Sequence, residues 1–96
     1  MKFKDIEFKK MEGFYGDGVK AEVSFPNGWG ASIVRHNHTY GGDRGLFELA
    51  VIDAEGEINY STSVTNDVLG WLNPGDVEAT LSKISALPPA LEVKNA

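Results

Sequence analysis

The sequence of 96 residues contains no cysteine, and its 14 acidic residues outnumber its 9 basic ones. Without cysteine, the chain cannot form a disulfide framework or a cysteine-ligated zinc or iron–sulfur site. No apolar run approaches the roughly 18 residues that a membrane-spanning helix needs. The basic residues are dispersed, whereas nucleic-acid-binding proteins cluster lysine and arginine to neutralise phosphates. We therefore expect neither a nucleic acid nor a membrane among its partners.

Length and composition predict one folded domain. The chain is 42% hydrophobic and 24% charged, which is typical of globular proteins rather than disordered ones. Its first residues, Met1 to Asp5, alternate charged and apolar types, unlike the apolar core of a secretory signal. We therefore expect a cytoplasmic protein of a bacterial cell, forming a single domain over 1–96 with residues 89–96 as a loose C-terminal tail.

Acidic residues are concentrated in the second half of the chain. Residues 46–64 include Glu48, Asp53, Glu55 and Glu57 and contain no base. Complementary charge chiefly raises the rate and the specificity of association. This distribution predicts a basic protein as the partner. The alternative is that the net charge of −5 only keeps a small domain in solution.

The first two-thirds of the sequence has the patterns of β-strands. A first strand is expected over residues 3–12, and strict alternation over 19–25 predicts a second strand with one buried face. Asn27-Gly28 favours a hairpin turn that leads into a return strand. Residues 46–52 are apolar on both faces apart from Glu48, which is typical of a central strand. A turn at 53–56 then predicts a hairpin onto 57–63.

Helix signals begin at Thr65. Thr65 or Asn66 can cap a short helix that ends at Leu72, and we expect Trp71 on its apolar face to lie in the core. A second helix is predicted to begin at Pro74 with Asn73 as its N-cap. Its apolar residues recur at helical spacing: Val77, Leu81, Ile84 and Leu87.

These elements predict an α+β fold. We expect a four- to five-stranded antiparallel β-meander, followed by a short helix and a longer C-terminal helix packed on one sheet face. One helical layer covers one face of a sheet, so a homodimer or another protein could cover the second face. The alternative is that the N-terminal segment and the short helix already cover it.

Residues 35–45 are the most polar stretch of the chain. His36 and His38 lie two residues apart, so on an extended backbone both imidazoles would point the same way. With Asp43 they are candidate ligands of a metal ion. The alternative is that both histidines are exposed loop residues that bind no metal ion. We expect no cofactor. No nucleophile elbow or P-loop ending is present, so we do not expect an enzyme.

Four aromatic residues lie beside glycine-rich turns. These are Phe14, Tyr15, Trp29 and Tyr40, and they are expected to cluster at one end of the sheet. Tryptophan, tyrosine and arginine are enriched at the energetic centres of protein interfaces. Alternatively, each ring covers an open end of the core. The predicted partner-binding residues are Trp29, Arg35, His38, Tyr40 and Arg44.

Three segments resemble small proteins carried by phages and prophages. They are the stretch 40–51, Tyr-Gly-Gly-Asp-Arg-Gly-Leu-Phe-Glu-Leu-Ala-Val, the stretch 65–72, Thr-Asn-Asp-Val-Leu-Gly-Trp-Leu, and the helix 77–87. Such proteins often inhibit host defence, and anti-CRISPR proteins are among them. The resemblance carries over no catalytic residue. It implies a non-enzymatic protein-binding module of phage type that inhibits a bacterial defence complex.

Two other functions remain open from the sequence. One is a metal- or small-ligand-binding domain that uses His36, His38 and Asp43. The other is a small virion assembly protein, for which an uncovered sheet face would be a subunit contact.

Overall fold

The computed structural model of the chain describes residues 1–11 and 18–90. In this part of the chain, five antiparallel strands pair in sequence order and one α-helix follows them. The predicted α+β class is therefore confirmed. No helix in these two ranges is long and apolar enough to cross a bilayer. The elements are β1 (Lys9–Met11), β2 (Gly18–Ser24), β3 (Gly30–Arg35), β4 (Phe47–Ile52), β5 (Leu69–Leu72) and α1 (Pro74–Ser85), with single 3-10 turns at Phe3–Asp5 and Gly42–Arg44.

The alternation predicted for the second strand is confirmed in β2. Ala21 and Val23 are buried, whereas the residues between and beside them are exposed. Ala21 pairs with Ile33 on β3, and Ile33 pairs with Leu49 on β4. Because paired residues of antiparallel strands share a face, these side chains form one continuous apolar surface.

The helix begins where the sequence predicts. The Asn73 side chain accepts a hydrogen bond from the Asp76 N–H at 2.8 Å, and the Asp76 carboxylate accepts one from the Asn73 N–H at 3.1 Å. This reciprocal capping box satisfies two N–H groups that the helix itself leaves unpaired. The buried residues of α1 join Ile33 and Leu49 in one hydrophobic cluster; they are Val77, Leu81 and Ile84.

The N-terminal segment packs against the same cluster. The ring of Phe3 lies 5.5 Å from that of Phe8 and 5.3 Å from that of Phe47, measured between centroids. The Phe8 and Phe47 rings are also 5.3 Å apart. Three mutually packed rings therefore close the core at the end of the sheet where β3 ends and β4 begins.

The predicted short helix over 66–72 is wrong. Residues 69–72 form strand β5, in which Leu72 pairs with Phe47 and Leu69 pairs with Leu49. Pairing with β4 supplies backbone hydrogen bonds to this segment, and Gly70 would disfavour a helix by about 1 kcal/mol. The prediction that Trp71 lies in the core is also wrong, because its side chain is 56% exposed.

Two other predicted strands are shorter than expected. Within residues 1–11 the first strand covers Lys9–Met11, and Phe3–Asp5 form a 3-10 turn. Residues 57–63 contain only an isolated bridge between Ile58 and Ile52. The turn at 53–56 is confirmed, with Gly56 at a φ of 84°. The glycine-rich turn predicted at 13–18 lies outside the described residues except for Gly18.

Candidate functional site

A β-bulge shapes the edge strand β5. Between the pairs Phe47–Leu72 and Leu49–Leu69, one residue of β4, Glu48, lies opposite two residues of β5, Gly70 and Trp71. A bulge bends its strand and changes the direction of a side chain. Trp71 has a φ of 60°, and it is the one non-glycine residue with a positive φ in the described parts of the chain.

Tyr40 and Trp71 lie side by side, and we call them the aromatic pair. The Trp71 backbone N–H donates to the carbonyl oxygen of Tyr40 at 3.1 Å. A Cβ added to Gly70 would lie 2.4 Å from the Cβ of Tyr40, and one added to Gly41 would lie 3.0 Å from Cε3 of Trp71. Each aromatic residue thus lies against the glycine that neighbours the other.

The loop that carries Tyr40 is held by internal hydrogen bonds. The buried Thr39 hydroxyl donates to the carbonyl of His36 at 2.9 Å and accepts from its N–H at 3.0 Å. The Gly42 N–H donates to the carbonyl of Thr39 at 2.9 Å, and the Leu46 N–H donates to that of Gly41 at 3.0 Å. Tyr40 is nevertheless 62% exposed, so a fixed backbone presents its ring to solvent.

Three of the predicted partner-binding residues share this end of the sheet with Tyr40. His38 is exposed on the loop, and Arg44 is exposed in the 3-10 turn that follows. Arg35 ends β3 and is half-buried, with its guanidinium carbon 5.1 Å from the centroid of the Phe47 ring. That contact is a cation–π interaction with the core, so Arg35 is less accessible to a protein partner than the loop residues are.

Trp29 lies at the opposite end of β3 from Tyr40. The six residues of β3 separate the two, a distance of about 20 Å. The Trp29 indole Nε1–H donates to the carbonyl of Pro88 at 2.9 Å, and its half-buried ring packs against the core. The structure therefore does not bring Trp29 into a cluster with Tyr40. Phe14 and Tyr15 lie outside the described residues.

The C-terminal segment is fastened to the same turn as Trp29. The Ala90 N–H donates to the carbonyl of Asn27 at 2.7 Å. Ala90 is thus held to this turn, whereas residues 91–96 lie outside the described chain, so the loose tail over 89–96 stays a prediction.

The candidate metal ligands do not assemble into a three-residue site. Within 1–11 and 18–90, no three histidine, aspartate or glutamate side chains come close enough to hold a metal ion together. The ring centroids of His36 and His38 are 6.2 Å apart, and Nδ1 of His36 accepts the backbone N–H of His38 at 3.0 Å. The His36 side chain thus stabilises the backbone of the loop through this hydrogen bond.

Trp71 is the site residue that the sequence interpretation missed. Its apolar type, three residues after Val68 in a predicted helix, favours a buried position. The available signal was Gly70, since a glycine inside a short helix is unfavourable and a glycine inside a strand often marks a bulge.

No protein-family model, curated protein or solved structure matches this chain.

Proposed function

We propose that this protein acts by binding another protein and that the aromatic pair is the centre of the contact. The observation that carries the proposal is the exposed Trp71 at a φ of 60°. A left-handed backbone costs a non-glycine residue about 1–2 kcal/mol, and such strain is concentrated at functional sites. The strained backbone of Trp71 is therefore consistent with a side chain that is held in position for binding.

The pair has the physical properties of an interface centre. Tryptophan and tyrosine are enriched among the residues that dominate binding energy. Burying a further area of about 100 Å² of an indole ring contributes about 2.5 kcal/mol. Because the bulge and the loop already fix both backbones, little conformational entropy is lost on binding.

The nature of the partner is proposed from charge and from the phage resemblance. The net charge of −5 favours a basic partner, whose association it would accelerate. Two of the three segments that carry the resemblance, 40–51 and 65–72, contain Tyr40 and Trp71 respectively. We therefore propose that the partner belongs to a bacterial defence complex in the cytoplasm and that the protein inhibits it by covering a surface, a role that requires no catalytic group.

Differential capture from a bacterial lysate tests this proposal. The bait proteins are the wild type, Trp71→Ala, Tyr40→Ala and the control Tyr60→Ala. Tyr60 is 48% exposed and lies outside the bulge, so its variant removes an exposed ring without altering the aromatic pair. We expect a protein retained by the wild type and by Tyr60→Ala to be lost from the other two.

The captured protein is then purified and its affinity is measured. Loss of Trp71 should weaken binding by about 30-fold or more, corresponding to about 2 kcal/mol. Equal retention on all four baits would contradict the proposal. Sedimentation of the bait alone identifies the case in which the partner is a second copy of this chain.

A further inference from the structure

A cleft of about 520 Å³ opens beside the ends of the first three strands. Its described lining includes Phe8, Lys10, Val19, Arg35, Asn37 and Gly42, and no carboxylate lies among the described lining residues. The volume falls within the range of about 300–1,000 Å³ that small-molecule sites occupy. Two cations and two apolar side chains therefore share one concave surface.

The sheet register fixes the two cations relative to each other. Lys10 on β1 pairs with Val19 on β2, and Val19 pairs with Arg35 on β3. Residues paired in this way share a face, and neighbouring strands lie about 4.8 Å apart. The Cα atoms of Lys10 and Arg35 are thus about 10 Å apart, with an apolar side chain between them.

Arg35 has an incomplete set of polar partners in the described chain. Its guanidinium lies over the Phe47 ring, yet within residues 1–11 and 18–90 it donates no hydrogen bond and pairs with no carboxylate. Arginine carries five N–H donors and remains charged. Hydrogen bonds between a guanidinium and an anion are among the strongest in proteins, so an anionic ligand in the cleft would stabilise this arrangement.

We propose that the cleft binds the oxyanion of a small acidic ligand, either a carboxylate or a phosphate. The planar guanidinium of Arg35 would hold two of its oxygens in a fork, and Lys10 would supply the second positive charge. Phe8 and Val19 would contact the apolar part of the ligand. This site does not depend on the proposed protein-binding function, although Gly42 lines the cleft and its neighbour Gly41 lies against Trp71.

An NMR titration of the whole ¹⁵N-labelled chain at constant ionic strength tests the site. The probes are inorganic phosphate and succinate, added separately. We expect saturable shifts of the Gly42 amide and of the Arg35 Nε–H with at least one probe. Arg35→Gln should weaken binding by about tenfold or more, since hydrogen bonds to charged groups contribute about 1.5–3 kcal/mol. Saturation by phosphate alone identifies a phosphate-bearing ligand, and saturation by succinate alone identifies a carboxylate.

A matched control separates the site from general surface charge. Lys20 follows Val19 and lies on the opposite face of β2, so Lys20→Gln removes one positive charge away from the cleft. It should bind as the wild type does. Shifts that never saturate with either probe, or equal weakening by Lys20→Gln and Arg35→Gln, would overturn the proposal.

Two milder variants keep the test decisive if Arg35→Gln disturbs the fold. Arg35→Lys retains the charge but lacks the fork, and Lys10→Gln changes an exposed residue. Each should weaken binding severalfold while preserving the dispersion of the spectrum. Wild-type binding by both variants would contradict the assignment of these two cations.

Discussion

The backbone N–H of Trp71 donates to the carbonyl oxygen of Tyr40 at 3.1 Å, which joins the edge strand β5 to the loop that follows β3. The two residues are 31 positions apart in the chain. Each ring lies against a glycine, which has no side chain to cover it, and both aromatic residues remain exposed. The aromatic pair is thus built on a rigid backbone and is accessible to a partner.

Replacement of Trp71 tests the backbone strain directly. Trp71→Gly and Trp71→Ala both remove the ring, but glycine adopts a φ of 60° without steric cost. We expect Trp71→Gly to be more stable than Trp71→Ala by about 1 kcal/mol in urea unfolding. If alanine were the more stable replacement, the left-handed conformation of this residue would be contradicted.

The close approach of Tyr40 to Gly70 predicts a strong steric effect. A Cβ at position 70 would lie 2.4 Å from the Cβ of Tyr40, so Gly70→Ala should destabilise the protein by about 1–3 kcal/mol. In a Tyr40→Gly background the obstructing Cβ is gone, and the same substitution should cost much less. Urea unfolding of the four proteins in this double-mutant cycle measures the difference.

Gly45 provides the control for that cycle. It has a φ of 80°, but an added Cβ would meet no atom within 4 Å. Gly45→Ala should therefore lower the free energy of unfolding by about 1 kcal/mol through backbone strain alone. The loss should be the same in the wild type and in the Tyr40→Gly background. A Gly70→Ala cost that did not depend on Tyr40 would show that the clash arises elsewhere.

Asn27 is predicted to stabilise the end of the helix from a distant turn. Its Nδ2 lies 2.9, 3.2 and 3.2 Å from the carbonyl oxygens of Ile84, Ser85 and Leu87, so its two N–H groups share three acceptors. Asn27→Ala should reduce the free energy of unfolding by about 1–3 kcal/mol. Asn27→Asp should be worse at neutral pH, because a carboxylate replaces the donor beside the negative end of the helix dipole.

Equal effects of alanine and aspartate at position 27 would contradict this role. Asn73→Ala is the matched comparison at the other end of α1, where loss of the cap should cost about 1 kcal/mol. Urea unfolding at pH 7 measures all three variants.

Trp29 should contribute to stability rather than to recognition. Trp29→Ala removes the hydrogen bond to Pro88 and the packing of a half-buried ring, so a loss of about 2–4 kcal/mol is expected. At a temperature where the variant remains folded, it should retain the captured protein as the wild type does. If the folded variant failed to bind the captured protein, Trp29 would be part of the binding surface and this prediction would be wrong.

Local patterns in the sequence account for much of the fold. The alternation over β2 and the signals around Asn73 both predict what the structure contains, because each depends on neighbouring residues. The apolar run over 46–52 likewise predicts strand β4, which lies between β3 and β5 in the sheet.

The elements that sequence reasoning missed depend on distant partners. Residues 69–72 form a strand because they pair with Phe47 and Leu49, and no local pattern of caps and apolar spacing contains that information. The bulge that exposes Trp71 arises from the same pairing. Similarly, Trp29 contacts Pro88, which is 59 positions away in the chain. The residues next to Trp29 in the sequence therefore do not reveal that its role is structural, and its position beside a turn made it resemble Tyr40.

The most direct test of the account is ¹⁹F NMR of protein labelled with 5-fluorotryptophan. The chain contains two tryptophans, so Trp29 is an internal reference for Trp71 without any substitution. On formation of the complex with the captured protein, the Trp71 resonance should shift or broaden, while that of Trp29 should stay in place. A complex in which the Trp71 resonance is unchanged would contradict the proposal that the aromatic pair is the binding surface.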